Sequence, residues 1–543
     1  MRNRAIRQKL LKERGLLMNN DKTINTLTKW YDFRLKIIIE GMIVGVFAGI
    51  LVVCYRYLLQ KVFEFSQNMY SLQLRHYWMI PIWFLGLIAG GWFVGKLVKK
   101  EPMISGSGIP QVEGILLQKL QMNWWKVILG KFFGGIICIG AGLSLGREGP
   151  SIQMGAAAGQ GFSRLSKRVK LEERYLITCG ASAGLAAAFN APLAGVIFAL
   201  EEVHKNFSPL VMTSALAASL TADYLSKEFF GLKPIFDFMQ LSPIPLSKYI
   251  FLIILGIVVG LLGIVFNKTI LKTQEIYAKL KWLSTEGKLI AAFLIAGVLG
   301  LFIPEVLGGG HEIITSILTT PFPLRVLLLF LIFKFFFTMV SYGSSAPGGI
   351  FLPLLSIGAL IGIIYGKIIN HFTGFSEIYI ANFVILAMAG YFSAIVKAPI
   401  TGCILITEMT GSFSHLLSVG LVCLTAYIVV DVLNSKPIYE ALLERILNKG
   451  TNQIKGGKDT KVIIETPILM GSMLDGKKIK EIDWPSDCLV VGIKRGEMEI
   501  IPDGDAKMSS GDYLIVLSNE DNAAEVKECL SKAGENVCLN DNS

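Results

Sequence analysis

The chain has 543 residues, of which 52% are hydrophobic and 17% are charged, and its formal net charge is +11. A soluble protein of this length would carry about 25% charged residues. Apolar runs such as 77–95, 249–267 and 378–396 approach the ~20 residues that a helix needs to cross a bilayer. Composition therefore excludes an ordinary soluble protein and predicts an all-α, polytopic membrane protein.

The first segment, residues 1–34, is rich in lysine and arginine and lacks the apolar core of a cleavable signal peptide. The positive-inside rule predicts that this end is cytoplasmic. Basic flanks of this kind explain the net charge, so we predict contact with the lipid bilayer and none with nucleic acid. The eight cysteines show neither metal-ligand nor disulfide spacing, so we predict reduced packing residues, no metal and no cofactor.

Residues 35–449 form the predicted transmembrane domain, which contains an internal repeat. The segment 191–195, followed by Glu201, corresponds to 398–402, followed by Glu408. The glycine pair near residue 106 recurs near residue 308. We therefore predict two related halves, 35–230 and 247–435, with a substrate site at their interface.

Three glycine-rich breaks interrupt the apolar runs. They are Gly106-Ser107-Gly108-Ile109-Pro110, Gly146-Arg147-Glu148-Gly149-Pro150 and Gly348-Gly349-Ile350-Phe351-Leu352-Pro353. A bilayer tolerates non-helical backbone only where it lines a cavity or is buried in protein. A helix start offers free N–H groups and a partial positive charge, and glycine lets an ion approach that backbone. Converging helix starts can therefore hold a halide-sized anion.

Side chains in these breaks, and one lysine between them, suggest further hypotheses. Glu148 lies where an anion would bind, so its carboxylate can compete with the ion until it is protonated, which would link proton and anion movement. The alternative is a structural acid paired with Arg147. Ser107 either donates its hydroxyl to the ion or caps a helix. Lys131, inside an apolar run, either adds a distant positive field, snorkels to an interface or pairs with an acid.

Together with Lys436-Pro437-Ile438-Tyr439, these motifs resemble the CLC family of chloride channels and proton/chloride antiporters over residues 35–445. The resemblance implies an inverted-repeat fold with interrupted and re-entrant helices, and a homodimer with one pathway in each subunit. It also implies that chloride is the bound substrate. The residues to which it assigns chloride binding are Ser107, Gly149, Ile350, Phe351 and Tyr439.

The same resemblance makes Glu148 the external gating glutamate, with Arg147 and Lys131 supplying positive field. In the antiporters the second acid of a Glu-Glu pair relays protons from the cytoplasm, and here that acid is Glu202. We therefore predict chloride/proton antiport across the plasma (inner) membrane. The alternatives are a passive or ligand-gated chloride channel of the same fold, and a Glu202 that simply faces the cytoplasm.

A rival prediction from another class comes from Gly180-Ala181-Ser182-Ala183-Gly184, which fits the G-x-S-x-G pattern of serine hydrolases. A serine nucleophile needs a base, usually histidine. None of the five histidines lies centrally in an apolar run. We therefore predict close helix packing by small residues at this segment, and no enzymatic activity.

The composition becomes polar at 450–460, a predicted linker, and residues 461–536 form a predicted α/β domain. Strands are predicted at 462–469, 488–494, 498–501 and 513–517, and a helix at 522–533. Motifs such as Gly471-Ser472-Met473-Leu474 resemble the RCK/TrkA C-terminal module. The resemblance implies a cytoplasmic regulatory domain whose ligand, in some relatives, is a cyclic dinucleotide.

Overall fold

A computed structural model of the chain describes residues 21–205, 208–236, 241–449, 461–485, 488–496 and 498–519, with six positions between 526 and 534. The predicted N-terminal segment lies outside the described residues up to residue 20, and most of the predicted linker and of the helix at 522–533 does so too. The chain divides into two compact units, Met1–Asn448 and Lys449–Ser543.

The first unit is built from helices, and long and short helices follow one another in a similar order in each half. The first half contains α1 (Asp21–Gln73), α2 (Met79–Lys100), α3 (Ile109–Leu116), α4 (Trp124–Gly140), α5 (Glu148–Leu165), α6 (Lys170–Phe189), α7 (Pro192–Phe198) and α8 (Pro209–Phe230). The second half contains α9 (Ile250–Lys279), α10 (Thr285–Phe302), α11 (His311–Thr319), α12 (Leu324–Gly343), α13 (Phe351–Thr373), α14 (Ile380–Val396), α15 (Pro399–Thr410) and α16 (Leu416–Val432). Helix α17 (Ile438–Lys449) follows.

Eight segments of the described chain are long and apolar enough to cross a membrane. They are Arg34–Gln73, Met79–Lys100, Ile250–Lys279, Thr285–Phe302, Leu324–Gly343, Phe351–Thr373, Glu377–Val396 and Phe413–Val432. The prediction of a helical, multi-pass membrane protein is thereby confirmed. The short helices α3, α7, α11 and α15 are interrupted elements, as the glycine and proline breaks predict.

Small residues bring α5 and α6 into backbone contact. A Cβ atom on Gly180 would overlap the carbonyl oxygen of Gly155 on the facing helix. Ser182, in the same segment, lies 2.6 Å from the hydroxyl of Ser219 on α8, Oγ to Oγ. The G-x-S-x-G segment is therefore a helix-packing motif. Helix α6 ends at Phe189, because Asn190 adopts a left-handed backbone conformation (φ 53°), and α7 then begins at Pro192.

Two acids hold the halves together by capping each other's short helices. Glu201, at the end of the first half's repeat motif, accepts hydrogen bonds from the amide of Thr401 (2.8 Å) and its hydroxyl (2.7 Å) at the start of α15. Glu408, its repeat partner, accepts from the amides of Ala194 (2.8 Å) and Leu193 (3.2 Å) at the start of α7. Carboxylates stabilise helix N-termini through these amides and the helix dipole, so both acids are structural.

The second unit contains one antiparallel sheet in the order β1-β4-β2-β3. Its strands are β1 (Lys461–Pro467), β2 (Cys488–Arg495), β3 (Met498–Ile500) and β4 (Asp512–Asn519). The sheet confirms the predicted small domain, including the hairpin that joins β2 to β3. One face packs on a core that includes Ile464, Leu474, Ile493, Leu514 and Val516.

Candidate anion site

The three glycine-rich breaks meet in the first unit and are hydrogen-bonded to one another. The amide of Gly146 donates to the carbonyl of Gly349 at 2.7 Å, and the amide of Gly349 donates back at 2.8 Å. The amide of Gly348 donates to the carbonyl of Gly106 at 3.0 Å. Segments about 200 residues apart in the sequence therefore share one irregular backbone core, which satisfies polar groups that lipid could not.

Helix starts face this core, as the motifs predict. Helices α3, α5 and α13 begin at Ile109, Glu148 and Phe351, each within one of the three breaks. Gly108 adopts a left-handed conformation (φ 94°) that permits the turn into α3. The free amides and dipoles of three helices therefore point their positive ends toward one region.

Glu148 is fully buried at this region. Its own amide and that of Leu352 face the carboxylate, yet neither carboxylate oxygen has a hydrogen bond of good geometry within the described chain. The Nε of Arg147 lies 3.9 Å from Oε1 and is itself buried without a hydrogen-bond partner among the described residues. The pair is therefore too loose to be a structural salt bridge, and the acid is not anchored.

Ser107 and Tyr439 supply hydroxyls near the same breaks. The Oγ of Ser107 accepts a hydrogen bond from the amide of Ile109 at 3.1 Å, so the capping role is present and the hydroxyl hydrogen is left for another acceptor. Tyr439 is fully buried at the start of α17, and its hydroxyl has no partner in the described structure. A buried hydroxyl without a partner costs about 1–3 kcal/mol, so an acceptor such as an anion would be bound favourably.

Tyr342, near the end of α12, is a neighbour that the sequence analysis missed. Its hydroxyl lies beside Ser107 and Gly106, and it interacts electrostatically with Tyr439. The only available signal was its short distance in sequence from the Gly348 break. Tyr342 therefore joins the candidate site as a third hydroxyl.

Aromatic rings close one side of the site. Phe351 packs against Phe392, Phe189 and Phe198, with ring centroids 4.7, 5.2 and 6.1 Å apart. Phe198 in turn contacts the ring of Tyr439 edge-on at 6.5 Å. Ile350 beside them is fully buried. This wall excludes water, and electrostatic interactions are stronger in such a low-dielectric environment.

Two buried lysines occupy equivalent places in the halves. Lys131 donates to the carbonyls of Ile104 (2.9 Å) and Gly106 (2.6 Å) just before α3. Lys334 donates to the carbonyls of Val306 (2.9 Å) and Gly308 (2.6 Å) just before α11. Lys131 is therefore buried rather than snorkelling, and it pairs with no acid among the residues that the structure describes. Its ammonium fixes the turn that precedes Ser107.

Glu202 lies in one turn of π-helix, Ala199–His204, that follows α7 and belongs to none of the three breaks. It is 4% exposed, and Oε1 has no hydrogen-bond partner within the described chain. The alternative of a surface acid facing the cytoplasm is therefore inconsistent with its burial. π-helical turns occur frequently at functional sites.

A cavity of about 330 Å³ is lined by Arg147, the residue before Glu148, and by Leu352. Two further basic groups, Arg56 and Lys233, also line it. The NH1 of Arg56 donates to Oδ1 of Asn190 at 2.9 Å, a contact that sequence could not reveal because it joins α1 to the end of α6. The acids Glu64 and Glu312 line the same cavity, so its lining carries charges of both signs.

Family models match both units. Residues 86–431, more than half of the chain, match the family described as voltage gated chloride channel. Residues 463–531 match the TrkA-C domain, in agreement with the module that residues 461–536 resemble.

Named relatives agree with these matches. The H(+)/Cl(-) exchange transporter ClcA of Yersinia pestis is 33% identical over 457 residues, covering 82% of this chain and 92% of the relative. The protein of the same name from Vibrio cholerae is 33% identical over 418 residues, covering 75% and 89%. The solved structure of a slow cyanobacterial Cl⁻/H⁺ antiporter matches with a TM-score of 0.73 and 31% identity, covering 76% of this chain and 98% of that one. The chain therefore belongs to the voltage-gated chloride channel family, the CLC family that its motifs resemble.

Proposed function

We propose that the protein exchanges chloride for protons across the plasma (inner) membrane. One observation carries the proposal: Glu148 is a buried, unanchored carboxylate at the meeting point of three helix starts. Relatives that are named H(+)/Cl(-) exchange transporters support the same activity. Chloride is the substrate, and the family consists of ion transport proteins rather than enzymes.

In this proposal chloride binds between hydroxyls and amides. Ser107 and Tyr439 donate their hydroxyls, and the amides of Gly149, Ile350 and Phe351 complete the shell. Charged Glu148 competes for this space because the same positive helix ends attract it. When the acid takes a proton from the outside it becomes neutral, loses that attraction and leaves room for chloride.

Glu202 is the proposed acceptor for protons from the cytoplasm. A buried carboxylate with an unpartnered oxygen can take up and release a proton without breaking a structural bond. Glu202 belongs to the π-helical turn and to none of the three breaks, so in this proposal protons and chloride share only the outer part of the pathway. This separation would allow the gradient of one ion to drive the other ion against its own gradient.

Assembly and regulation follow from the same family membership. We propose a homodimer, with a complete pathway in each subunit and both chain ends in the cytoplasm. The TrkA-C domain would bind a small regulatory ligand, and a cyclic dinucleotide is the first compound to test by calorimetry on the purified full-length protein. Removing residues 451–543 should abolish that binding and leave basal transport intact.

Reconstitution tests the central proposal. Purified protein in liposomes under an outward chloride gradient should drive protons uphill into the vesicles, and a protonophore should abolish the resulting pH difference. Glu148→Gln should move chloride without protons, because the amide cannot exchange one. Chloride flux in the wild type without proton movement at any pH would instead establish the passive channel.

A further inference from the structure

Lys205 lies at the end of the π-helical turn that carries Glu202 and binds an acid on a different element. Its Nζ is 2.6 Å from Oε1 of Glu113, a residue of α3. Glu113 is 2% exposed and Glu202 is 4% exposed. A single lysine therefore lies near two buried carboxylates, in direct contact with Glu113 and in electrostatic interaction with Glu202.

The backbone at Lys205 is unusual for a residue with a side chain. Its φ is 53°, in the left-handed region, directly after the π-helical turn Ala199–His204. Such a conformation is strained for a residue with a side chain and persists where surrounding contacts impose it. The bond to Glu113 is a contact of this kind, since it fixes the ammonium against α3.

The carboxylates around Lys205 carry more negative charge than its single positive charge can balance. Oε2 of Glu113 and Oε1 of Glu202 both lack a hydrogen-bond partner in the described part of the chain. Two buried acids cannot both ionise cheaply beside one cation. The charged groups that interact with these two acids and with Lys205 are Lys119, Glu201 and Glu440.

The cluster also connects the elements that carry the candidate chloride ligands. Glu113 belongs to α3, which begins two residues after Ser107. Glu440 follows Tyr439 in the first turn of α17. Lys205 thus interacts with one acid from each helix that presents a chloride-binding hydroxyl.

We propose that Lys205 is a positioning residue that makes Glu113 and Glu202 one proton-sharing pair and ties the turn carrying Glu202 to α3. The proposal rests on the proposed proton-coupled exchange. The pair holds one proton, on either acid, and the ammonium stabilises the carboxylate that lacks it. Removing the ammonium leaves two like charges in a buried site, so the pair retains its proton to a higher pH.

The test is a mutant cycle that follows the pair directly. Infrared titration of the full-length protein, with Glu202→Gln subtracted as the reference, gives the pH at which the pair loses its proton. We expect Lys205→Met to move this midpoint upward by about 1–3 pH units, because a nearby opposite charge has that effect. Glu113→Gln should move it downward, and the double variant should return toward the wild type. Lys205→Arg should restore the wild-type midpoint.

Transport measurements complete the test. In liposomes, Lys205→Met should shift the internal-pH dependence of proton flux in the same direction and leave chloride flux within about twofold of the wild type. Lys281→Met, an exposed lysine, is the matched control. Unchanged midpoints in both Lys205→Met and Glu113→Gln would overturn the proposal. A shifted titration in a protein that moves chloride without protons would instead keep the pair and reject the antiporter.

If Lys205→Met does not fold, Glu113→Gln still tests the proposal through its titration midpoint, because it removes one acid and leaves the lysine. A purely structural role for Lys205 predicts lower thermal stability with no shift in either midpoint. The infrared titration separates the two roles because it reports protonation rather than folding.

Discussion

The carboxylate of Glu148 occupies the space that a side chain on Gly146 would need. A Cβ atom on Gly146 would overlap Oε2 of Glu148 and lie 3.0 Å from the amide nitrogen of Leu352. The backbone of Gly146 cannot retreat easily because its amide and carbonyl both pair with Gly349. The acid therefore keeps its place at the start of α13 only while residue 146 has no side chain.

Gly146→Ala should consequently displace the acid without removing it. We expect chloride to move with fewer protons per ion than in the wild type, because the methyl group excludes the carboxylate from the anion site. Parallel measurement of chloride and proton flux in liposomes checks this. Gly86→Ala is the control, since a Cβ there meets no described atom within 4 Å. Wild-type coupling in Gly146→Ala would contradict the position assigned to Glu148.

The adjacent acids Glu201 and Glu202 should separate stability from proton transport. Glu201→Gln weakens charge-assisted hydrogen bonds to the start of α15 and should lower the free energy of unfolding by about 1–2 kcal/mol. Proton coupling should persist. Glu202→Gln should stop proton flux, spare chloride and leave the melting temperature nearly unchanged. Thermal unfolding in detergent and flux assays on the same preparations measure both effects.

The opposite assignment would reverse this pattern, with Glu201→Gln uncoupling transport and Glu202→Gln unfolding the protein. Glu408→Gln provides a second check, because it weakens the equivalent cap on α7 and should resemble Glu201→Gln. A stable Glu408→Gln variant with wild-type melting would show that the reciprocal caps do not hold the halves together.

Local motifs predicted the helix starts, because glycine and proline dictate backbone conformation within a few residues. The breaks before Ile109, Glu148 and Phe351 were therefore readable from the sequence. Lys334 was equally readable as the repeat partner of Lys131 but was overlooked. The bond from Lys205 to Glu113 was not readable, since it depends on how the π-helical turn packs against α3.

The two buried lysines should differ in function although their contacts match. Lys131→Met removes the ammonium that fixes the turn before Ser107, so we expect weaker chloride binding as well as lower stability. Lys334→Met should lower stability alone, because its turn precedes α11 rather than a candidate chloride ligand. Chloride titration by calorimetry, together with melting temperature, distinguishes the two. Equal losses of chloride affinity would remove Lys131 from the anion site.

The tail offers a pH prediction that is independent of the membrane unit. Arg495 donates to the carboxylate of Asp512 through Nε at 2.8 Å and NH2 at 2.7 Å, and these bonds lower the pKa of Asp512 below its usual value. Because the pKa is lowered in the folded state, the pair stabilises the sheet above the unfolded pKa of about 4. That contribution is lost as the pH falls through the folded pKa.

Asp512→Asn should therefore destabilise the sheet at pH 7 by about 1–2 kcal/mol, a value limited by the partial exposure of Arg495 to solvent. Hydrogen exchange of β4 amides in the full-length protein measures the loss, with the exposed Glu499→Gln as a control of equal charge change. The difference between wild type and variant should shrink as the pH falls below the unfolded pKa of about 4, and it should be lost once the pH passes the lowered pKa of folded Asp512. A difference that stays constant with pH would assign the effect to packing instead of the ionised pair.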